Sequence, residues 1–432
     1  MMDFVQYIIR FLVGEKIDSE TLSLIGYTDN PEEFTNYKLV IYPSGFFNNN
    51  IYGSEQSLPR MPFSNIENVP ILYGRPLIER DKDTYILHAD IVASTYFLIT
   101  RYEEMVRRNV RDIHGRFPGR ESLPYRASCI NYPIVDKYGS LLRKLLRECG
   151  LDIPEPEEKI NKIYLTHDVD SLTHYRHLRG FLGSFRNIQK IKASFKSRFG
   201  SLANDSYYTF PYLYELNQAL CRERSNVETI AFIKAGGKYY KEDKPYQNIQ
   251  NKDFQEFFKL SEENNVTLGL HASYEAGINP ALIQGEKERL EQTVGRTITN
   301  NRHHFLDSRE PEDMQTLINT GITHDFTMGY ADIAGFRLGT SRAVRWINPQ
   351  TRELTDLTLH PLTAMDATLS NERYMNLSEE EAYTHSVELI NETKKYAGDL
   401  CLLWHNTSVI ENPDLYHRRL YSRIIKYLRD TE

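Results

Sequence analysis

From residue 161 onward the chain alternates short apolar runs with longer helix-forming stretches, and this alternation narrows its fold more than any other feature. KIYLT (162–166), TIAFIK (229–234), VTLGLH (266–271), TITNNRHHF (297–305), GITHDF (321–326) and DLCLLWH (399–405) have the length and composition of strands. Between them lie stretches with helical spacing, such as DFQEFFKLSEEN (253–264) and EDMQTLINT (312–320). Strands alternating with helices in this way predict an α/β fold with mainly parallel strands.

The polar clusters fall where apolar runs end, which in parallel barrels is where catalytic groups gather. IYLT leads into His167-Asp168-Val169-Asp170. An extended chain there places Asp168 and Asp170 on one face and His167 and Val169 on the other. Two such carboxylates repel, and a cation or a raised pKa relieves the repulsion. LGL leads into His271, with Glu275 four residues on, within reach if the chain turns helical. Imidazole and carboxylate are ordinary ligands of zinc and similar ions. Arg302 and His304 share a face on an extended strand, with His303 pointing away, and an arginine in such a site fixes a carboxylate through a two-pronged pair. LLW leads into His405-Asn406.

Eleven of the thirteen histidines follow residue 160, and residues 151–160 carry two prolines and four acids. The expected organisation is an N-terminal accessory α/β domain over 1–150, a linker over 151–160 and the barrel-type domain over 161–432. The first part holds a strand-like run, KLVIYPSGFF (38–47), and a helical one, ADIVASTYFLITRYEEMV (89–106), with no polar constellation that suggests chemistry. It is read as structural or docking. With 52 basic and 59 acidic residues the net charge is −7, which argues against nucleic acid as a partner. The four cysteines show no paired spacing and are read as reduced thiols, as in a cytoplasmic protein. The opening FVQYIIRFLVGEKID is broken by Gln6 and Arg10 and reads as an amphipathic helix rather than a signal peptide. No apolar run is long enough to span a membrane.

One segment differs from the rest in charge. Residues 171–204 contain seven Lys or Arg and no acid, with Leu178, Phe181, Leu182, Phe185, Ile188, Ile191, Phe195 and Phe199 at helical spacing. One expectation is a helix packing its apolar stripe on the barrel. The other is peripheral contact with a membrane surface or an anionic glycan.

THDVD, GLHASYEAG, RHHFL, GITHDFTMGYADIAGFR and LLWHN together resemble the polysaccharide deacetylase superfamily (carbohydrate esterase family 4), over residues 161 to about 410. TRYEE (100–104) and DIHGRFP (112–118) resemble the domain accompanying one bacterial branch of it. The resemblance implies a distorted, incomplete β/α barrel and removal of an acetyl group from an N-acetylated sugar with a divalent metal, zinc above all. It places the base at Asp168, an orienting arginine at Arg302 and the general acid at His405. The metal ligands fall on Asp170, His271, His304 and Glu275: Val169 stands at the family's metal-binding aspartate, with Asp170 as its replacement. Glu275 replaces the second histidine of the second motif, and His304 can supply the missing imidazole. Trp404, Asn406 and Arg337 are the candidates for contact with a carbohydrate substrate. The competing readings are a glycan-binding protein that has lost turnover and a metal-independent amidohydrolase.

Overall fold

The computed structural model describes residues 2–431. Nine strands form one curled, half-barrel sheet. In spatial order they are Val344–Ile347, Leu354–Pro361, His324–Met328, Asn300–His303 and Thr267–Ala272. Val227–Ile233, Lys162–Val169, Asp399–Leu403 and Ala364–Met365 complete the row. Every neighbouring pair is parallel except Val344–Ile347 on Leu354–Pro361. All six strands expected from the apolar runs are present. Of the three others, between residues 344 and 365, two are interrupted by polar residues and the third is only two residues long, so they lack that signal.

Helices cover the sheet, as parallel strands buried on both faces require. Lys252–Glu263 starts where Asn251 accepts from the Phe254 N–H (2.9 Å), and Glu379–Lys395 starts with a reciprocal Ser378/Glu381 capping pair. Such caps satisfy N–H groups that have no partner within the helix.

Residues 25–89 contribute a separate four-stranded sheet, in the order Ile25–Tyr27, Leu39–Ile41, Thr84–Ala89, Gly74–Asp81. The first helix, Asp3–Val13, buries its apolar face against the helix Ile134–Glu148. The expected helical stretch 89–106 is two helices, Ile91–Ile99 and Tyr102–Val106, broken at Arg101 in left-handed backbone (φ 59°). One continuous apolar core joins this region to the nine-stranded sheet. Buried charges bridge them too: Glu104 meets Arg337, and Asp136 meets Arg342 (2.6 Å). Among the described residues no helix is long and apolar enough to cross a membrane.

Candidate functional site

The strand Lys162–Val169 delivers the first carboxylates. His167 turns into the core, where its Nδ1 donates to the Trp404 carbonyl (2.8 Å) and its Nε2 accepts from Asn217 (2.9 Å). Burial pushes its pKa down to about 4. Asp168 and Asp170 face the opposite side together. Arg302 Nη1 donates to Asp168 Oδ1 (3.0 Å) and to Thr166 Oγ1 (2.7 Å), while its Nε donates to the Phe326 carbonyl (3.0 Å). The fully buried guanidinium also lies over the Phe232 ring (4.6 Å). It grips Asp168 through one nitrogen, not two, and Asp168 Oδ2 is left 3.6 Å from His271 Nε2.

Asp170 and two imidazoles form a candidate metal-binding triad. His271 is the penultimate residue of its strand and His304 follows the strand Asn300–His303, so each arrives from a neighbouring element. His271 Nε2 lies 3.1 Å and His304 Nε2 3.3 Å from the same oxygen, Asp170 Oδ1. The three ligand atoms fall within 4.8 Å of one another. The remaining ring nitrogens are already committed. His271 Nδ1 donates to the Arg302 carbonyl (3.0 Å), and His304 Nδ1 donates to Asp243 Oδ1 (3.0 Å). In the neutral rings both Nε2 lone pairs therefore face a carboxylate, an arrangement that repels unless a proton or a cation stands between them. Ligands about 2.0–2.2 Å from a shared tetrahedral ion lie roughly 3.3 Å apart, so the observed separations fit one. Three protein ligands leave a fourth position open, and 31% of the Asp170 side chain reaches solvent.

The electrostatics point the same way. Burial works against the charge of Asp170, but the surrounding His304, His271 and His405 hold its carboxyl well below the usual range. Burial likewise opposes a charge on His304, and the Asp170 carboxylate overcomes it, raising its pKa. Asp243, behind His304, is held by the N–H groups of Tyr274 (2.9 Å) and Glu275 (3.0 Å), and its own carbonyl accepts from buried Lys234 (2.8 Å).

His405 follows the strand Asp399–Leu403. Its Nδ1 donates to Asp366 Oδ1 (2.7 Å), and its backbone N–H donates to Asp366 Oδ2 (2.8 Å), which Ser408 Oγ also reaches. Its Nε2 lies 3.7 Å from Asp170 Oδ2. Burial alone would lower its pKa, but the Asp366 carboxylate lifts it to about 10. The pairing thus favours the protonated ring, whose Nε2 is directed toward the triad.

The first 150 residues also reach this place. Arg116 Nη1 donates to the carbonyl of Phe305 (2.8 Å), beside His304, and the His114 ring packs on Phe305 (5.0 Å). Arg101 donates to the carbonyl (2.7 Å) and hydroxyl (3.0 Å) of Ser308. Phe305 itself sits at φ 61°, so the loop bearing His304 turns sharply where these residues hold it.

Asp168, Asp170, His271, Arg302, His304 and His405 are brought together; four other expected residues are not. Glu275 heads a short helix behind Ser273 and accepts from the Lys238 N–H (3.1 Å), outside the triad. Trp404 is wholly buried, its indole N–H on the His417 carbonyl (3.3 Å) and its ring against Tyr421, so no face is open to a sugar. Asn406 is buried and donates to the Ser171 and Tyr207 carbonyls. Arg337 is buried in a pair with Glu104 and cannot meet substrate. Sequence reasoning missed Asp366 and Asp243. Neither belongs to a motif: Asp366 follows a two-residue strand, and Asp243 stands in KYYKEDKP, which reads as a charged surface turn.

A model of a family of unknown function (DUF7033) matches residues 3–150. No curated protein matches the chain. Among solved structures, one described as a "putative polysaccharide deacetylase" from Mycobacterium smegmatis aligns at 12% identity with a TM-score of 0.40, covering 65% of this chain and 87% of that one.

Proposed function

We propose that this protein is a metal-dependent hydrolase that removes the acetyl group from an N-acetylated sugar or polysaccharide. The observation that carries the reading is the meeting, at one end of the sheet, of three parts. They are a two-histidine, one-aspartate ligand set, a carboxylate held by arginine, and a histidine kept protonated by its own aspartate. Asp170, His271 and His304 would hold the ion, most fittingly zinc. When bound, the ion supplies Lewis-acid polarisation of the acetyl carbonyl and acidifies water. Asp168, fixed through Oδ1 by Arg302, takes the proton of the attacking water on Oδ2. His405 gives its Nε2 proton to the departing sugar nitrogen as the C–N bond breaks, so water and amide become acetate and amine. Asp366 holds His405 in the orientation and protonation state that this requires. Residues 1–150 are read as an accessory domain, and Arg116 and His114 support the loop that carries His304.

The test is acetate release from N-acetylglucosamine oligomers before and after removal of metal with a chelator. Release that collapses on chelation and returns with added zinc supports the reading. Release indifferent to the chelator, or none from any N-acetylated oligomer, overturns it.

A further inference from the structure

Immediately after Asp170 the chain leaves the sheet and forms a hairpin of two helices, Leu178–Ser184 and Ile188–Phe199. Its base is tied down. Asp205 accepts from the His174 N–H (2.7 Å), the Tyr175 N–H (2.9 Å) and Ser197 Oγ (2.6 Å), and Arg176 pairs with Asp253 (2.9 Å). The helices then hold each other through Ser184 and Ser194 (2.7 Å) and through the rings of Phe181 and Phe195 (5.1 Å).

The outward surface is not what a helix packed on a barrel presents. Ile188 is 84% exposed, Phe199 73%, Leu178 63% and Leu182 56%, with Phe185 and Phe195 also exposed. Single exposed apolar residues are ordinary, whereas six gathered on one hairpin mark an interaction surface. Leu178, Leu182 and Phe185 recur at one helical face, and Ile188, Phe195 and Phe199 at another. Lys192 and Lys196 flank the second stripe. Arg176 is paired, and Arg198 covers the Phe181 ring (5.0 Å) and donates to the Arg176 carbonyl (2.9 Å). Among the described residues, Arg179, Arg186, Lys190, Lys192 and Lys196 have no ion-pair partner, although the chain as a whole is acidic.

We infer that this hairpin docks on a bilayer surface carrying anionic lipids. Its six apolar side chains enter the headgroup boundary and its five unpaired cations meet lipid phosphates. A hydrated anionic glycan would satisfy the charges but leave Leu, Ile and Phe in water. A second copy of the hairpin would satisfy the apolar surface but set five cations against five. An anionic bilayer satisfies both. Because the hairpin departs from Asp170, docking holds the candidate active site beside the membrane, where a lipid-linked glycan would lie. The docking stands apart from the hydrolysis proposed above: flotation measures it without any turnover, and acetate release serves only as a check on the variants.

The test is flotation of the full chain with phosphatidylcholine vesicles, with and without phosphatidylglycerol, from about 0.1 M to about 1 M salt, over which the screening length falls roughly threefold. The protein should float with the anionic vesicles at low salt, weaken at high salt, and stay behind with neutral ones. At about fivefold per cation, Arg179→Gln, Arg186→Gln, Lys190→Gln, Lys192→Gln and Lys196→Gln together should weaken binding by about a thousandfold or more. Leu182→Ser, Ile188→Ser and Phe199→Ser together should lose about tenfold or more with the charge unchanged. Both variants should keep their circular dichroism and their acetate release from a soluble oligomer. No flotation, or equal flotation with neutral vesicles, overturns the proposal. So does a serine variant that binds anionic vesicles as tightly as the parent, which is the signature of a glycan-type contact, or a parent dimer that the variants dissolve.

Discussion

Two clusters of buried charge, one where the helix Tyr102–Val106 meets Arg337 and one at the strand ends, both pair buried carboxylates with cationic side chains and differ in one respect. At the helix, Glu104 Oε1 accepts from Arg337 Nε (3.0 Å), and Oε2 accepts from Arg337 Nη2 (2.8 Å) and from Arg101 Nε (2.9 Å) and Nη2 (2.6 Å). Burial opposes the charge, yet the two guanidinium groups hold the carboxyl down at about 2. Each carboxylate oxygen faces donors, and nothing remains for a ligand. At the strand ends, two imidazole lone pairs converge on a carboxylate oxygen, and His405 aims a proton at the same residue. The first cluster is complete as it stands; the second requires a partner from outside. Buried charge by itself therefore does not mark a site, whereas an incomplete set of partners does.

The sharpest contrast is kinetic. Asp168→Asn should cut acetate release per folded molecule by about 10²–10⁴-fold, because the amide cannot accept the water's proton, a loss larger than its stability cost from leaving buried Arg302 without a carboxylate can explain. Steady-state rates beside a melting curve check it, and undiminished release removes Asp168 from the mechanism. Glu104→Gln should do the reverse: about 3–5 kcal/mol of stability lost by strand–helix unfolding in urea, since two arginines are left without their carboxylate, and normal turnover per folded molecule. The same pair predicts acid sensitivity. A carboxyl lowered in the folded state stabilises above its unfolded value, so the Glu104 contribution is present above about 4.5 and lost as pH falls through about 2. Urea midpoints across that window should drop less in Glu104→Gln than in the parent.

Smaller effects sharpen the strand-end account. Asp243→Asn keeps the shape behind His304 but weakens the acceptor for its Nδ1, and should cost about 10–100-fold in zinc affinity, read by competition with a chelating dye. An unchanged affinity would make Asp243 merely structural. Asp366→Asn removes the charge that raises His405. Turnover that needs the His405 proton falls as pH rises through the His405 pKa, so this basic limb should move down by about one unit or more in the variant. A pH–rate profile with its basic limb unmoved would take His405 out of the acid role.

Much of the strand-end cluster was legible because strand geometry transmits it. Asp168, Asp170, His271 and His405 sit at the ends of apolar runs, alternation of side chains separates His167 from the two aspartates, and the role of Arg302 came from the family resemblance. His304 was legible as the imidazole two residues beyond Arg302. The supporting residues were not: Asp366 and Asp243 act across gaps of 39 and 61 residues, and no local pattern links a carboxylate to a distant imidazole. Arg337, Trp404 and Asn406 were assigned to substrate by residue type, but their partners, Glu104, His417 and the Ser171 carbonyl, decide otherwise and come from remote segments. The stripe over 178–199 shows the same boundary. Periodicity reveals that a helix has an apolar face but not whether the fold covers it, and here most of that face is exposed.

The most direct test is metal content. Protein purified without an affinity tag and analysed by mass spectrometry should carry about one divalent ion per chain. The ion should be lost when His271 and His304 are both changed to Ala, while the circular dichroism spectrum is kept. Protein that holds no ion after incubation with zinc, or an ion equally retained by the doubly substituted chain, would contradict the assignment of Asp170, His271 and His304 as its ligands.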